Sequence, residues 1–169
     1  FYETRNFTPG PGTVQDCRIG ERWVPFGGDM IFRCLQLPDF CLGVEICEDL
    51  WVPQPPSARL AAAGATVIAN PSASDEAAGK AAYRRTLVES QSARLCCAYL
   101  YAASGGGEST TDLVFSAHNL IGEDGSLLAE SLPFGEGFAV TEIDVARLAG
   151  QRRRTGTWPP VPDGFDEIY

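Results

Sequence analysis

A mixed α/β fold, one sheet with helices on an outer face, is what this sequence predicts, and three observations carry the prediction. Continuous apolar runs at residues 40–46, 66–70 and 98–103 each stop at a polar or glycine-rich turn, the habit of strands buried on both faces. Helical stretches lie between them, at 58–63 and 79–97. Beyond residue 107 the pattern changes to short apolar segments joined by tight turns, a meander rather than a parallel crossover.

Taken in order, residues 1–28 are rich in Gly, Pro, Arg and aromatics and read as an extended surface segment. Residues 30–35 form the first strand candidate and 40–46 the second. Pro55-Pro56-Ser57 precedes the helical stretch 58–63, which stops at Gly64. The strand at 66–70 ends in the loop Pro71-Ser72-Ala73-Ser74. The longest helix, 79–97, offers Ala82, Leu87, Ala93 and Leu95 as inward positions, spaced for one helical face. The strand at 98–103 is closed by Gly105-Gly106-Gly107; 113–117, 118–121, 127–130 and 138–143 read as strands, with a turn at Glu123-Asp124-Gly125. Asp144 is placed to cap a last helix running through Arg154. The domain is expected over residues 1–154, and 155–169 reads as a Pro-rich linker.

A net charge of −9, from acids scattered along the chain, argues against nucleic acid as a partner, since phosphate needs a basic surface. The one basic cluster, Arg152-Arg153-Arg154, closes a predicted helix and suits its C-terminal carbonyls. Six cysteines without a C-x-x-C pair, and a single histidine, His118, argue against a zinc site and leave no metal expected. Cys34, Cys41, Cys96 and Cys97 lie in apolar segments, where a free thiol behaves as a small hydrophobe. A reduced, cytoplasmic compartment is expected. No apolar run approaches the roughly 20 residues that span a bilayer, so no membrane is expected. The chain begins at Phe1 rather than Met and its last residues close no obvious element; it reads as a piece of a longer polypeptide.

The chemistry concentrates in Gly43-Val44-Glu45-Ile46-Cys47-Glu48-Asp49-Leu50-Trp51-Val52-Pro53. A buried strand that stops at a cysteine presents the sulfur at its C-terminal end, where ligands collect in open α/β sheets. A cysteine attacks as its thiolate. His118 is the only histidine and is far from Cys47 in sequence, so a carboxylate base with a lysine at the developing oxyanion is the better-matched chemistry. Lys80 is the only lysine.

The Cys47 segment resembles the nucleophile segment of the nitrilase (carbon–nitrogen hydrolase) superfamily, and most of all the glutaminase domains of the glutamine-dependent NAD+ synthetase branch. Phe1-Tyr2-Glu3-Thr4-Arg5-Asn6-Phe7-Thr8-Pro9-Gly10 is similar to a second segment of that branch. Asn70-Pro71-Ser72-Ala73-Ser74 with Gly79-Lys80-Ala81-Ala82-Tyr83-Arg84 is similar to its glutamine-pocket loop and helix. The stretch from Gly107 to Asp112, Glu123-Asp124-Gly125 and Leu128-Ala129-Glu130 are similar to its late strands.

The resemblance implies a nitrilase-type α-β-β-α sandwich, incomplete here, with about the second half of the domain present. It implies Cys47 as the covalent nucleophile and Glu3 as the supporting glutamate; the general-base Glu and the catalytic Lys of the family triad would lie upstream, so the isolated chain is expected to be inactive. Glu48 would line the oxyanion hole and meet the substrate amine, Trp51 would form the aromatic wall, and Ser74 and Lys80 would hold the α-amino and α-carboxylate ends of glutamine. Glutamine is the implied substrate. Deamido-NAD+ and ATP with Mg are the partners and cofactor of a synthetase domain that this sequence lacks, and none is assigned to residues here. A homo-oligomer is implied as well.

Each residue also has a plainer reading. Cys47 as a buried small hydrophobe is opposed by Glu45, Glu48 and Asp49 around it. Lys80 is equally read as a solvated helix residue, Ser74 as a turn serine, Trp51 as core, and His118 as a strand residue with a hydrogen-bonded neighbour. Gly105-Gly106-Gly107 lacks the Lys-Ser/Thr of a phosphate loop and reads as a strand-end turn near the site. Two other functions stand beside the glutaminase: a stand-alone amidase of the same superfamily, and a fragment that binds without catalysing.

Overall fold

The computed structural model describes residues 7–8, 10–108, 112–135 and 137–169. Strands β1 (Gln15–Ile19) and β2 (Arg22–Phe26) form a separate antiparallel hairpin. There follow β3 (Met30–Arg33), β4 (Cys41–Val44), a 3₁₀ turn (Cys47–Trp51), α1 (Pro56–Ala63), β5 (Val67–Ser72), α2 (Lys80–Leu95) and β6 (Ala98–Ala103). The chain continues through β7 (Leu120–Glu123), β8 (Ser126–Glu130), α3 (Val145–Arg154) and β9 (Asp166–Ile168). One seven-stranded sheet runs in the order β8-β7-β6-β5-β4-β3-β9. Its centre, β4-β5-β6, is parallel, and it is flanked by antiparallel pairings at β3 and β7.

The parallel centre is built as the apolar runs require. Each crossover carries a helix, and α1 and α2 lie on the same face of the sheet, over Ile31, Cys41, Ile68, Tyr99 and Tyr101. Helix α1 approaches β4 at Gly43, where a Cβ would stand 3.0 Å from that of Leu60. On the other face, Val67 and Ala98 are covered at one end by Val145 and Leu148 of α3. Toward the far end of that face the strands open out, with Val44 and Ala102 exposed. The β7–β8 hairpin turns at Asp124-Gly125, whose φ values of 48° and 90° are those of a type I′ turn.

Several elements differ from the sequence expectation. The segment expected to be extended holds the β1–β2 hairpin, which turns at Gly20 with φ 61°. Pro25 inside β2 masked it, since proline is tolerated only in a strand with a free edge. Residues 113–117 form no strand: the backbone there crosses the ends of other elements, Val114 accepting from the Glu76 amide and Ala117 donating to Ser104. Residues 138–143 form none either, and Phe138 and Val140 stand exposed without a ladder neighbour. The strand expected from His118 begins at Leu120.

Helix α2 is rotated relative to the expected face. Leu95 is buried as expected and Leu87 is half-buried, but Ala82 and Ala93 are exposed; Arg84, Val88, Gln91 and Ser92 turn inward instead. Arg152 does serve helix carbonyls, but those of other helices: it donates to Ala61 at the end of α1 and to Leu95 and Cys96 at the end of α2. The Pro-rich tail read as a linker carries packed residues. Trp158 lies under the Arg152 guanidinium at 4.8 Å, and β9 pairs in parallel with β3 at the sheet edge.

Candidate active site

The carboxyl ends of the three parallel strands lie together at one end of the sheet's centre, and Cys47 stands there. It follows β4 and adopts φ 52°, a left-handed conformation that costs a non-glycine residue on the order of 1–3 kcal/mol. The 3₁₀ turn it opens is stabilised by Asp49, whose carboxylate accepts from the Ile46 amide at 2.8 Å. A cleft of about 440 Å³ is lined by Ile46 and Cys47, by Pro71, Ser72 and Ala73 at the end of β5, and by Ala102 to Ser104 at the end of β6 with Glu108 beyond it. The triple glycine supplies the turn between Ser104 and Glu108, closed by Glu108 donating to Gly105. A larger cavity of about 830 Å³ lies between the loop before β3, the 3₁₀ turn and α1, and it does not include Cys47.

Cys47 differs from three of the other cysteines; Cys17 and Cys34 are half-buried as it is. Cys41, Cys96 and Cys97 are buried, and burial raises all three thiols, that of Cys97 to about 12, which makes them poor nucleophiles. Cys47 is half-buried at the cleft. Its peptide is clamped by Asn70, which accepts from the Cys47 amide at 2.9 Å and donates to the Cys47 carbonyl at 3.3 Å. Asn70 also donates to the Tyr99 hydroxyl at 3.1 Å, and Tyr99 donates to Glu45. Burial lifts the Glu45 carboxyl above its ordinary range, partly offset by the hydrogen bonds it accepts from Tyr99 and Ser57.

Beside the cleft is a second cluster. Lys80 pairs with Asp75 at 2.8 Å and lies 5.3 Å from the centre of the Trp51 ring, which itself contacts Tyr83. Ser74 is half-buried on the loop between Ala73, a cleft residue, and Asp75. Glu48 is exposed on the 3₁₀ turn between Cys47 and Trp51. Glu3 lies outside the described residues.

A family model described as carbon-nitrogen hydrolase matches residues 3–153. The chain belongs to the carbon-nitrogen hydrolase family. Over 160 residues it is 50% identical to the glutamine-dependent NAD(+) synthetase of Mycobacterium tuberculosis, a match covering 94% of this chain and 24% of that protein. The crystal structure of a glutamine-dependent NAD(+) synthetase from Cytophaga hutchinsonii superposes with a TM-score of 0.65 at 32% identity, covering 79% of this chain and 21% of that one. Saccharomyces cerevisiae Nit3, of the nitrilase superfamily, superposes with a TM-score of 0.62 over 93% of this chain and 50% of its own; at 19% identity the likeness is one of fold. The chain thus spans about a quarter of the length of the NAD+ synthetases it matches.

This carbon-nitrogen hydrolase chain holds a further network that the sequence did not announce. Arg84, wholly buried, donates to His118 Nδ1 at 2.7 Å and to Glu76 at 3.0 Å. Glu76 accepts from Ser116 at 2.5 Å, and His118 bonds through Nε2 to Glu130. The network joins the loop that carries Ser74 and Asp75 to the segment before β7. Asn70, Tyr99, Asp75 and Arg84 were all missed as site residues. Only Asn70 left a signal, a polar residue closing an apolar run.

The network fixes an acid dependence. Burial pushes Glu76 up, but hydrogen bonds from Ser116 and Arg84 outweigh it and hold the carboxyl below its ordinary range. Glu130 is likewise lowered, burial being outweighed by Arg85 and His118. A folded-state pKa below the unfolded one contributes stability above the ordinary carboxylate value that is lost as pH falls through the lowered one. Glu76→Gln is expected to remove part of that linkage. Between about pH 5 and 3 its urea midpoint should fall less steeply than the wild type's. Parallel slopes would show that Glu76 carries no such linkage.

Proposed function

We propose that this chain is the nucleophile-bearing part of the glutaminase domain of a glutamine-dependent NAD+ synthetase. The observation that carries the reading is Cys47, held at positive φ on a cleft at the carboxyl ends of β4, β5 and β6. Its sequence kinship to named NAD+ synthetases supports the substrate. In the proposed reaction the Cys47 thiolate attacks the side-chain amide carbon of glutamine and forms a carbon–sulfur bond. The carbon–nitrogen bond then breaks as the nitrogen takes a proton, releasing ammonia and leaving a glutamyl thioester. Water cleaves the thioester to glutamate and restores the thiol. The general-base Glu and the catalytic Lys come from elsewhere in the parent protein, with Glu3 in support.

Around this nucleophile, the Cys47 amide is already committed to Asn70. The Glu48 amide, at the start of a helical turn where amides lack partners within the turn, is the oxyanion donor of the reading. Lys80 and Asp75 form a charge pair beside the Trp51 ring. That pair complements a zwitterionic amino acid, with Lys80 toward the α-carboxylate and Ser74 and Glu48 toward the α-amine. Lys80→Met is expected to raise KM for glutamine by about 10- to 100-fold, the worth of one charge-assisted hydrogen bond, with kcat changed far less. An unchanged KM would remove Lys80 from the pocket. Deamido-NAD+, ATP and Mg act in a different part of the parent protein, whose ammonia-consuming step this chain feeds.

The deciding experiment measures NAD+ formation by the full-length parent from glutamine and from ammonium, with and without Cys47→Ala. Loss of the glutamine-driven reaction alone supports the reading. A parent that makes NAD+ from neither donor would return the chain to the stand-alone amidase.

A further inference from the structure

The polarity of the hydrogen bonds under Cys47 runs one way, and both ends are fixed by backbone. At one end the Ser57 amide donates to Glu45 at 2.7 Å; at the other the Cys47 amide donates to Asn70 Oδ1 at 2.9 Å. A peptide N–H can only donate. Between them stand three side chains exposed by no more than 2%: Glu45, Tyr99 and Asn70. Tyr99 spends its proton on Glu45, so its oxygen accepts from Asn70 Nδ2 at 3.1 Å. Asn70 must then present its nitrogen to Tyr99 and its oxygen to the Cys47 amide. No helix or strand hydrogen bond of the parallel sheet requires this order of donors and acceptors. The Cys47 backbone favours it from one side, its N–H donating to Asn70 Oδ1 and its carbonyl accepting from Nδ2 at 3.3 Å; from the other side it depends on residue 45 accepting through both oxygens.

Resting on the reading of Cys47 as nucleophile, we propose that Glu45, Tyr99 and Asn70 are positioning residues that fix the nucleophile's backbone through this directional relay. None of the three touches substrate. Their effect reaches the reaction through the left-handed Cys47 peptide, whose pose aims the sulfur at the cleft and leaves the next amide for the oxyanion. Glutamine at position 45 has the same shape and tests the polarity alone. Its amide oxygen must stay on the Ser57 N–H, so its NH₂ faces Tyr99 and donates. The Tyr99 hydroxyl turns to donate to Asn70, and Asn70 flips its NH₂ against the Cys47 N–H. Two donors then oppose each other at the nucleophile.

The test uses the full-length protein, with the thermal midpoint as the measure of an intact fold and ammonium-driven NAD+ formation as the measure of an intact synthetase. Glu45→Gln is expected to lower glutamine-driven kcat by about 10- to 100-fold, the scale of a misplaced reacting group, while KM for glutamine stays within about two-fold. The double variant Glu45→Gln with Tyr99→Phe is expected to regain several-fold of that kcat, because without the hydroxyl nothing forces Asn70 to turn. A merely structural role gives the opposite result, with the two losses adding. A Glu45→Gln kcat within about two-fold of wild type, or additive losses in the double variant, overturns the proposal. If Glu45→Gln lowers the thermal midpoint or loses the ammonium-driven reaction too, Asn70→Leu replaces it, and a wild-type kcat there overturns the proposal equally. The two readings fail separately. Glutamine-driven activity surviving in Cys47→Ala removes the nucleophile and the relay with it, whereas a dead Cys47→Ala beside a fully active Glu45→Gln removes the relay alone.

Discussion

Cys47→Ala in the full-length protein is expected to lower glutamine-driven NAD+ formation by on the order of 10⁴-fold or more, as loss of a covalent nucleophile does, and to leave the ammonium-driven reaction at its wild-type rate. Alanine has no atom that can form the thioester, so the covalent route is closed rather than slowed. The substitution is also gentle. Alanine keeps the Cβ, so the strain of φ 52° is unchanged, and the Asn70 clamp holds backbone atoms that both residues share. The thermal midpoint is therefore expected to stay within about 2 °C, less than 1 kcal/mol for a domain of this size. The measurement is initial NAD+ formation with each nitrogen donor, alongside that midpoint. A glutamine-driven rate within about ten-fold of wild type would place the nucleophile elsewhere.

Arg84→Met is expected to be the most destabilising single change in this chain, at about 3–5 kcal/mol, the cost of removing one member of a buried ion pair. Arg84 is 0% exposed, pairs with Glu76 and His118, and lies 5.6 Å from the centre of the Tyr101 ring. Methionine fills similar volume but leaves the Glu76 carboxylate without its cation and His118 Nδ1 without its donor. Lysine does not rescue the site, because one ammonium cannot reproduce two bonds diverging from a planar guanidinium. The urea midpoint of the variant reads the loss, and adding Glu76→Gln should return part of it by removing the stranded charge. A loss below about 1 kcal/mol, the usual scale of an exposed pair, would mean that the network contributes no more than a surface salt bridge.

Arg84 also shows why some of this structure was not legible in advance. Helix α2 has alanines, polar residues and few large apolar side chains, so hydrophobic periodicity alone gave it the wrong rotation. Its inward face is set by a buried cation whose partners come from residues 76 and 118, distant in sequence and on different elements. Short β-favouring segments failed for a related reason. Residues 113–117 and 138–143 have the composition of strands, yet a strand exists only where a neighbour offers its ladder. The β1–β2 hairpin and β9 were missed from the other side: proline in one and the lack of an apolar run in the other hid pairings made at edges.

The apolar runs of the parallel centre, by contrast, were read directly. A strand covered on both faces must be apolar throughout, and a sheet of such strands needs helical crossovers; those demands are local and leave their mark on composition. The same locality exposed Cys47, because a thiol between acids at the end of such a run is out of place in a core. The class of fold, the centre of the sheet and the candidate nucleophile were therefore legible along the chain. How that candidate is held is a matter of packing. Asn70, Tyr99 and Glu45 sit on three different strands or strand ends, the bonded pairs 29 and 54 positions apart. A hydrogen-bond relay depends on which buried polar atoms face one another across the sheet, a matter of register and not of pattern along the chain.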